Sequence, residues 1–372
     1  MNTMKILVTG GHPTPALACI DYIASTHEPV TFVFVGRQYL NDKERNDTYE
    51  YQEVTKRSIR FYSSDAKRGG TGIMQLWSSV QSSLTILDAE KPSLILSFGG
   101  YISLPVCLAA AIRRIPIYLH EQTAKPGAAN RLTAFIAARV MTAFEEARSQ
   151  FILFPWQQSK VTHTGNPIRQ ELLTPVADSF ADLTTPLVFI NGGNMGSHAL
   201  NEHVFAILPK LLLNVTVIHQ VGNVTEFGDL ERAVSIKKQL AGSTKNKYIP
   251  LTHLPTTVMA SALQKATMIV CRSGANTFFE LVAQRKPAVL VPLPFSARGE
   301  QEYHAQIMAD HGAAEIFYQT QPSEVLFDRI IAVLKTITCH TKAYDSLTAY
   351  YQPHAAETIW QQITSDYRER TI

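Results

Sequence analysis

The sequence predicts an α/β protein of two Rossmann-like domains, and three observations predict it. Short β-branched runs alternate with longer stretches of helical period along the whole chain, the pattern of parallel strands covered by helices. The alternation starts afresh near the middle, so that each half repeats one plan of strand, glycine turn and helix. At 372 residues the chain exceeds one typical domain and suits two, each able to bury its own core.

In the first half, strands are expected at Lys5–Thr9, Val30–Gly36, Ile59–Tyr62, Ser93–Ser97, Ile115–Leu119 and Val140–Ala143. In the second they are expected at Leu187–Ile190, Val215–His219, Met268–Cys271, Ala288–Val291 and Ala314–Phe317, separated by helices such as His198–Leu213 and Gln301–His311. Turn residues from Gly165-Asn166-Pro167 to Thr185-Pro186 mark the break. The expected domains are therefore 1–165 and 166–340, followed by a helical tail, 341–372, with helices at Ala343–Tyr351 and Ala355–Arg368 that pack back on the first domain. Asn41–Ser64 and Lys67–Gly72 read as polar, irregular loops beside a ligand site.

Composition narrows the class. Apolar residues make up 45% and charged ones 17%, a globular balance, and a net charge of +3 is too mild for a nucleic-acid binder while not opposing an anionic membrane. The four cysteines, Cys19, Cys107, Cys271 and Cys339, lie far apart without CxxC spacing, which fits a reducing compartment. The N-terminus runs straight into a strand without a signal-peptide pattern, and the greasiest stretch, Leu104–Ala111, ends at Arg113 and Arg114, short of the ~20 residues of a spanning helix. Contact with a membrane is expected only from its surface.

Five segments carry possible chemistry. Thr9-Gly10-Gly11-His12 joins a strand to a helix, where glycines admit a ligand to the backbone and a helix N-terminus offers N–H groups to an anion. Asn191-Gly192-Gly193-Asn194-Met195-Gly196-Ser197 repeats that arrangement in the second half. Two such loops facing a cleft can hold a diphosphate without a metal. Cys271-Arg272-Ser273-Gly274-Ala275 leads into a helix whose Glu280 can accept hydrogen bonds from a ribose. Phe98-Gly99-Gly100-Tyr101, His120-Glu121-Gln122 and Pro126-Gly127 to Asn130-Arg131 lie at carboxyl ends of strands, where doubly wound sheets bind ligands. Pro292–Phe295 precedes a helix whose Gln301 can both donate to and accept from a sugar. A structural alternative stands beside each: a tight turn with His12 merely exposed, an ordinary glycine loop, Glu280 as a solvated helix residue, Gln301 as helix surface. HExxH, GxSxG and Asp-x-Asp patterns are all absent, so diphosphate charge must fall to backbone dipoles, Arg and Lys.

In this order the segments resemble the MurG family, which adds N-acetylglucosamine to undecaprenyl-diphospho-muramoyl-pentapeptide. The resemblance spans nearly the whole chain; its most specific parts are Ser97–Ser103, His120-Glu121-Gln122, Pro126-Gly127, Asn130-Arg131, Gly165-Asn166-Pro167-Ile168-Arg169 and Cys271–Ala275. It implies a GT-B architecture, with an acceptor- and membrane-facing first domain, a UDP-sugar-binding second domain, and an inverting transfer from UDP-N-acetylglucosamine that needs no metal. His12 is implied as base or acceptor-orienting group, with Thr9, Gly10 and Gly11 lining the cleft. Asn130, Arg169, Gly193, Asn194, Ala275, Glu280 and Gln301 are implied as substrate contacts. Asn194-Met195 replaces the family's usual Ser-Gln, His304 its usual Asn, and Val8 a common glycine. The alternatives are a nucleotide-sugar enzyme with another acceptor, a UDP-sugar 2-epimerase, or a non-catalytic sugar-binding protein of cell-wall assembly. Peripheral attachment to the inner face of the cytoplasmic membrane is expected through Leu76, Trp77, Phe135 and Ile136 beside Lys67, Arg68, Arg113, Arg114 and Arg139.

Overall fold

A computed structural model describes residues 3–39, 47–64, 66, 72–174, 176–183, 186–193, 196–222, 224, 226–242 and 245–371. The chain divides into two compact units, 1–169 with 352–372, and 170–351. The first holds strands β1 (Met4–Thr9), β2 (Val30–Gly36), β3 (Arg60–Ser63), β4 (Leu94–Ser97), β5 (Ile117–Glu121), β6 (Arg139–Thr142) and β7 (Val161–His163). Its helices are α1 (Pro13–Ser25), α2 (Tyr49–Lys56), α3 (Ile73–Glu90), α4 (Ser103–Ile112) and α5 (Ala128–Ile136). The strands form one parallel sheet in the order β3-β2-β1-β4-β5-β6-β7.

Both faces of that sheet are covered, which is why its strands read as unbroken apolar runs. Ile6 and Val8 of β1 pack under α1, whereas Leu7 between them packs with residues of α3, α4 and α5. The chain's last helix closes the α1 side: its Ile359, Trp360 and Ile363 lie in the same core as Leu17 and Ile20.

The second unit holds β8 (Leu187–Asn191), β9 (Thr216–Gln220), β10 (Tyr248–Leu251), β11 (Met268–Cys271), β12 (Ala288–Leu290) and β13 (Ala314–Ile316). Its helices are α6 (Gln170–Leu173), α7 (His198–Leu211), α8 (Asp229–Leu240), α9 (Thr256–Lys265), α10 (Ala275–Gln284), α11 (Glu300–Asp310), α12 (Ser323–Lys335) and α13 (Ile337–Ala343); α14 (Ala355–Thr371) is the closing helix of the first unit. The sheet order, β10-β9-β8-β11-β12-β13, repeats the first six positions of the other sheet. Each is the Rossmann order, with a switch point where the chain leaves one flank of the sheet and continues on the other.

The structure differs from the sequence reading in three places. The stretch Asn41–Ser64 contains α2 as well as the expected strand, β3: Thr48 caps α2 by accepting the Tyr51 N–H at 3.1 Å, and Val54 is fully buried. Residues 40–46, 65 and 67–71 lie outside the described ones. The first boundary falls after Arg169 rather than 165, and residues 341–351 stay with the second unit, because Tyr344 and Leu347 are buried there while α14 alone crosses back. No helix among the described residues is long and apolar enough to cross a membrane.

Candidate active site

In each unit the strands flanking the switch point, β1 with β4 and β8 with β11, end in the segments singled out from sequence. In the first, the Thr9 hydroxyl points inward and donates to Ser103 Oγ at 2.9 Å, tying the end of β1 to the start of α4. The two glycine turns then touch. Gly11 has φ +116°, and a Cβ there would lie 2.7 Å from the Gly99 carbonyl, so only glycine permits the approach.

In this turn the two glycine N–H groups are already taken by protein acceptors. The Gly10 N–H is bonded to Val35 O at 2.7 Å and the Gly11 N–H to Glu50 Oε1 at 3.3 Å. Pro13 and Pro15, in the first turn of α1, have no N–H to give. What the turn presents is His12. Burial pushes that imidazole down to about 4, so it is neutral at physiological pH, and among the described residues it has no hydrogen-bond partner.

Asn130 acts as a strut. Its Nδ2 donates to Glu121 Oε2 at 2.7 Å and its Oδ1 accepts the Gly100 N–H at 2.9 Å, while a Cβ on Gly99 would overlap its amide. Glu121, fully buried, also accepts the N–H and hydroxyl of Thr123 at 2.8 Å, and burial raises its carboxyl above the usual range. His120 beside it is fully buried and pushed down to about 4, chiefly by desolvation; its Nε2 lies 3.0 Å from Gly165 O and its Nδ1 has no partner. With Nε2 carrying the proton toward that carbonyl, Nδ1 is an acceptor. Arg169 is buried and donates to the Tyr49 hydroxyl.

In the second unit the glycines do open a backbone loop. Gly193 and Gly196 have φ of +96° and +79°, and a Cβ on Gly196 would lie 2.1 Å from Val221 O, so the loop is pressed against the end of β9. Ser197 caps α7, and its hydroxyl also takes Nη2 of Arg272 at 2.6 Å. Arg272 further donates to Gln319 Oε1 and Val291 O at 3.0 Å, so one half-buried guanidinium ties the cap of α7 to the segments that follow β12 and β13. Asn194 and Met195 lie outside the described residues.

Gly274 and Ala275 open α10, on whose second turn Glu280 stands half-buried. His304 is fully buried and its Nδ1 lies 3.2 Å from Ser273 O, so this departure from the family pattern sits beneath the loop rather than on its surface. Gln301 already accepts the Leu293 N–H at 3.0 Å through its side-chain oxygen, and its NH2 group is what remains to donate. Sequence reasoning missed Arg272 as the tie of this half, although a lone Arg after a buried strand was its signal, and missed Glu50 altogether. Among the described residues one cluster, His198, Glu202 and Asp229, brings cation-ligand atoms within 4.8 Å. Its atoms are engaged with protein, His198 Nδ1 with Asp229 Oδ1 at 2.8 Å and Glu202 with Arg232.

Two Rossmann units with glycine turns at both switch points define the GT-B class of glycosyltransferase folds. Residues 8–142 match the model of the glycosyltransferase family 28 N-terminal domain, and 187–357 that of the family 28 C-terminal domain. A Lawsonia intracellularis protein named UDP-N-acetylglucosamine--N-acetylmuramyl-(pentapeptide) pyrophosphoryl-undecaprenol N-acetylglucosamine transferase is 32% identical over 87% of this chain and 86% of its own. The crystal structure of Acinetobacter baumannii MurG superposes with a TM-score of 0.70 at 24% identity, covering 97% of this chain and 99% of that one. The chain belongs to glycosyltransferase family 28 and, within it, to the MurG family. It is an enzyme that transfers a sugar. The UDP-GlcNAc 2-epimerase of Neisseria meningitidis also superposes, with a TM-score of 0.66 over 97% of this chain and 100% of its own, but at 14% identity it shares the fold alone. The epimerase alternative is not favoured.

Proposed function

We propose that this enzyme transfers N-acetylglucosamine from UDP-N-acetylglucosamine to a muramoyl-pentapeptide carried on undecaprenyl diphosphate, the lipid I to lipid II step of peptidoglycan synthesis. The observation that carries the reading is the 32% identity, over 87% of the chain, to a transferase of that name. The first unit takes the acceptor and the second the donor. The acceptor hydroxyl attacks the anomeric carbon as UDP leaves from the opposite face, inverting its configuration.

His12 receives the hydroxyl proton. An imidazole titrating near 4 is always free to accept, but it pulls weakly, so the larger share of catalysis falls to stabilising the departing diphosphate. That task belongs to the Gly192–Ser197 loop, to Arg272 and to the N-terminus of α10 at Ala275. A well-aimed donor there contributes ~3–4 kcal/mol. Glu280 holds the ribose, Gln301 and Asn194 read the sugar, and Asn130 and Arg169 shape the wall of the site, with Thr9, Gly10 and Gly11 setting the His12 turn. No metal is required in this reading. Its support is the missing Asp-x-Asp pair and the helix N-termini beside the second-unit loops. The enzyme works from the membrane surface, where its acceptor's lipid tail lies.

The test is transfer of radiolabelled N-acetylglucosamine to authentic lipid-linked acceptor, with and without a chelator. Labelled lipid product in both arms is expected. Release of free sugar or of an epimer without lipid product overturns the reaction assigned, and recovery that strictly needs added magnesium or manganese overturns metal independence.

A further inference from the structure

The slot at the ends of β1 and β2 is built from missing side chains. A Cβ on Gly10 would lie 1.6 Å from Glu50 Oε1, and one on Gly36 would lie 2.7 Å from Glu50 Cδ. The two glycines leave a space that the Glu50 carboxylate fills, and only 6% of Glu50 remains exposed. Each oxygen meets one backbone N–H: Oε1 that of Gly11 at 3.3 Å, Oε2 that of Arg37 at 3.1 Å. The start of α2 is fastened to the same strand end, since the Thr48 N–H bonds to Gln38 O at 2.7 Å and its hydroxyl to Arg37 O at 2.5 Å. Glu50 therefore enters the slot from a fixed base.

A buried carboxylate is a costly filler, and its burial pushes it up to about 7 against the lowering effect of the two N–H bonds. An apolar side chain would fill the space without that cost, and a glutamine would place an NH2 group against one of the two N–H donors. Only a carboxylate offers both an acceptor. One residue beyond Gly11 stands His12, whose ring has no hydrogen bond to any described residue, so its position is inherited from the turn. The opposite side of the turn rests on the Gly99 carbonyl, where a Cβ on Gly11 would come within 2.7 Å.

We propose that Glu50 is a positioning residue for sugar transfer: its carboxylate clamps the Gly10-Gly11 turn and so aims the His12 imidazole at the acceptor hydroxyl. The inference rests on the reading of His12 as the proton acceptor. Glu50 touches no substrate and acts through the backbone of the turn.

The test is a double-mutant cycle of E50Q and H12A on the full-length enzyme, with transfer to lipid-linked acceptor, donor KM and thermal melting recorded for each. E50Q is expected to melt cooperatively and to lose about 10- to 100-fold in kcat, with donor KM within about twofold of the parent. In the H12A background, E50Q is expected to cost less than about threefold more, because the group it aims is gone. If E50Q does not melt cooperatively, E50D, which keeps both oxygens but shortens the reach, takes its place in the cycle. A kcat within about twofold of the parent for a folded E50 variant overturns the proposal, as does a full multiplicative loss in the H12A background. An H12A enzyme with unchanged kcat overturns the His12 reading, and this proposal with it, whereas an impaired H12A with additive losses overturns the proposal alone.

Discussion

At the scale of single residues, burial keeps the imidazoles of His12 and His120 neutral at physiological pH. In the proposed reaction, replacing His12 by alanine removes the proton acceptor and leaves the donor's contacts in place, so kcat is expected to fall by roughly 10²–10⁴-fold while donor KM barely moves. Steady-state kinetics at saturating acceptor checks this. Glu280 predicts the opposite split. A carboxylate holding ribose hydroxyls makes charge-assisted bonds of about 1.5–3 kcal/mol each, and the ribose does not change along the reaction. E280A should weaken UDP binding by roughly ten- to a hundredfold with kcat little affected, and E280Q should lose less; calorimetric affinities equal to the parent's would make Glu280 a helix-surface residue. His120 gives a stability prediction. Burial lowers its folded-state pKa from 6.5 to about 4, so the stability this neutral ring contributes is present above pH 6.5 and is lost as pH falls toward 4. The lowering corresponds to ~3 kcal/mol at 1.36 kcal/mol per unit. Melting of H120Q beside the parent from pH 7 to pH 4 should show the variant losing less, and parallel curves would count against the buried neutral imidazole.

At the scale of elements, α14 decides whether the first unit is complete. Its Ile359, Trp360 and Ile363 are core residues against α1, and Asp366 pairs in two-pronged fashion with Arg139 of β6 at 2.6 and 2.8 Å. Trp360→Ala should cost ~3–5 kcal/mol, the usual range for truncating a buried aromatic, and lower the melting of the first unit; a change below 1 kcal/mol would mean the helix is only draped on the surface. Elements covered on both faces were legible in the sequence. Val30–Gly36 and Met268–Cys271 were read with the bounds they have, since their apolar runs end sharply at turn residues. Two of the four edge strands, β7 and β10, were not. Tyr248–Leu251 carries Pro250, which argues against a central strand but is tolerated at the sheet edge where β10 lies, and Val161–His163 is only three residues long. The site divided in the same way. Glycine turns declared themselves locally, so the four loops at the switch points were found. Glu50 was not, because its slot is made by Gly10, just past β1, and Gly36, the last residue of β2, both well before it in the chain, and nothing in Tyr49-Glu50-Tyr51 marks its glutamate as buried.

For the whole molecule, the proposed lipid-linked acceptor requires contact with a membrane surface, since no helix among the described residues is long and apolar enough to span one. The first unit exposes an apolar groove of about 480 Å³ lined by Ile73, Leu76, Trp77, Val80, Leu108, Ala111 and Ile112, with Ile73 86% and Trp77 55% exposed. Phe135 and Ile136 of α5 are also exposed. Two of the five basic residues expected beside them are already engaged in ion pairs. Arg139 is held by Asp366 and Arg113 by Asp88, while Lys67 and Arg68 lie outside the described residues. In the proposed reading, attachment rests mainly on apolar insertion. A fully buried large apolar side chain contributes about 1.5–3 kcal/mol, against ~1 kcal/mol for a basic residue near an anionic surface. The double variant Ile73→Ser, Trp77→Ala should thus lower partition onto vesicles at least about tenfold, more than raising the salt from low to physiological does. Cosedimentation with vesicles of anionic and of neutral lipid, for parent and variant at two salt concentrations, separates the two contributions. Equal partition of the parent onto both lipids at low salt would remove the electrostatic part and leave the apolar one, whereas unchanged partition of the double variant would show that the groove on α3 and α4 faces something other than a membrane.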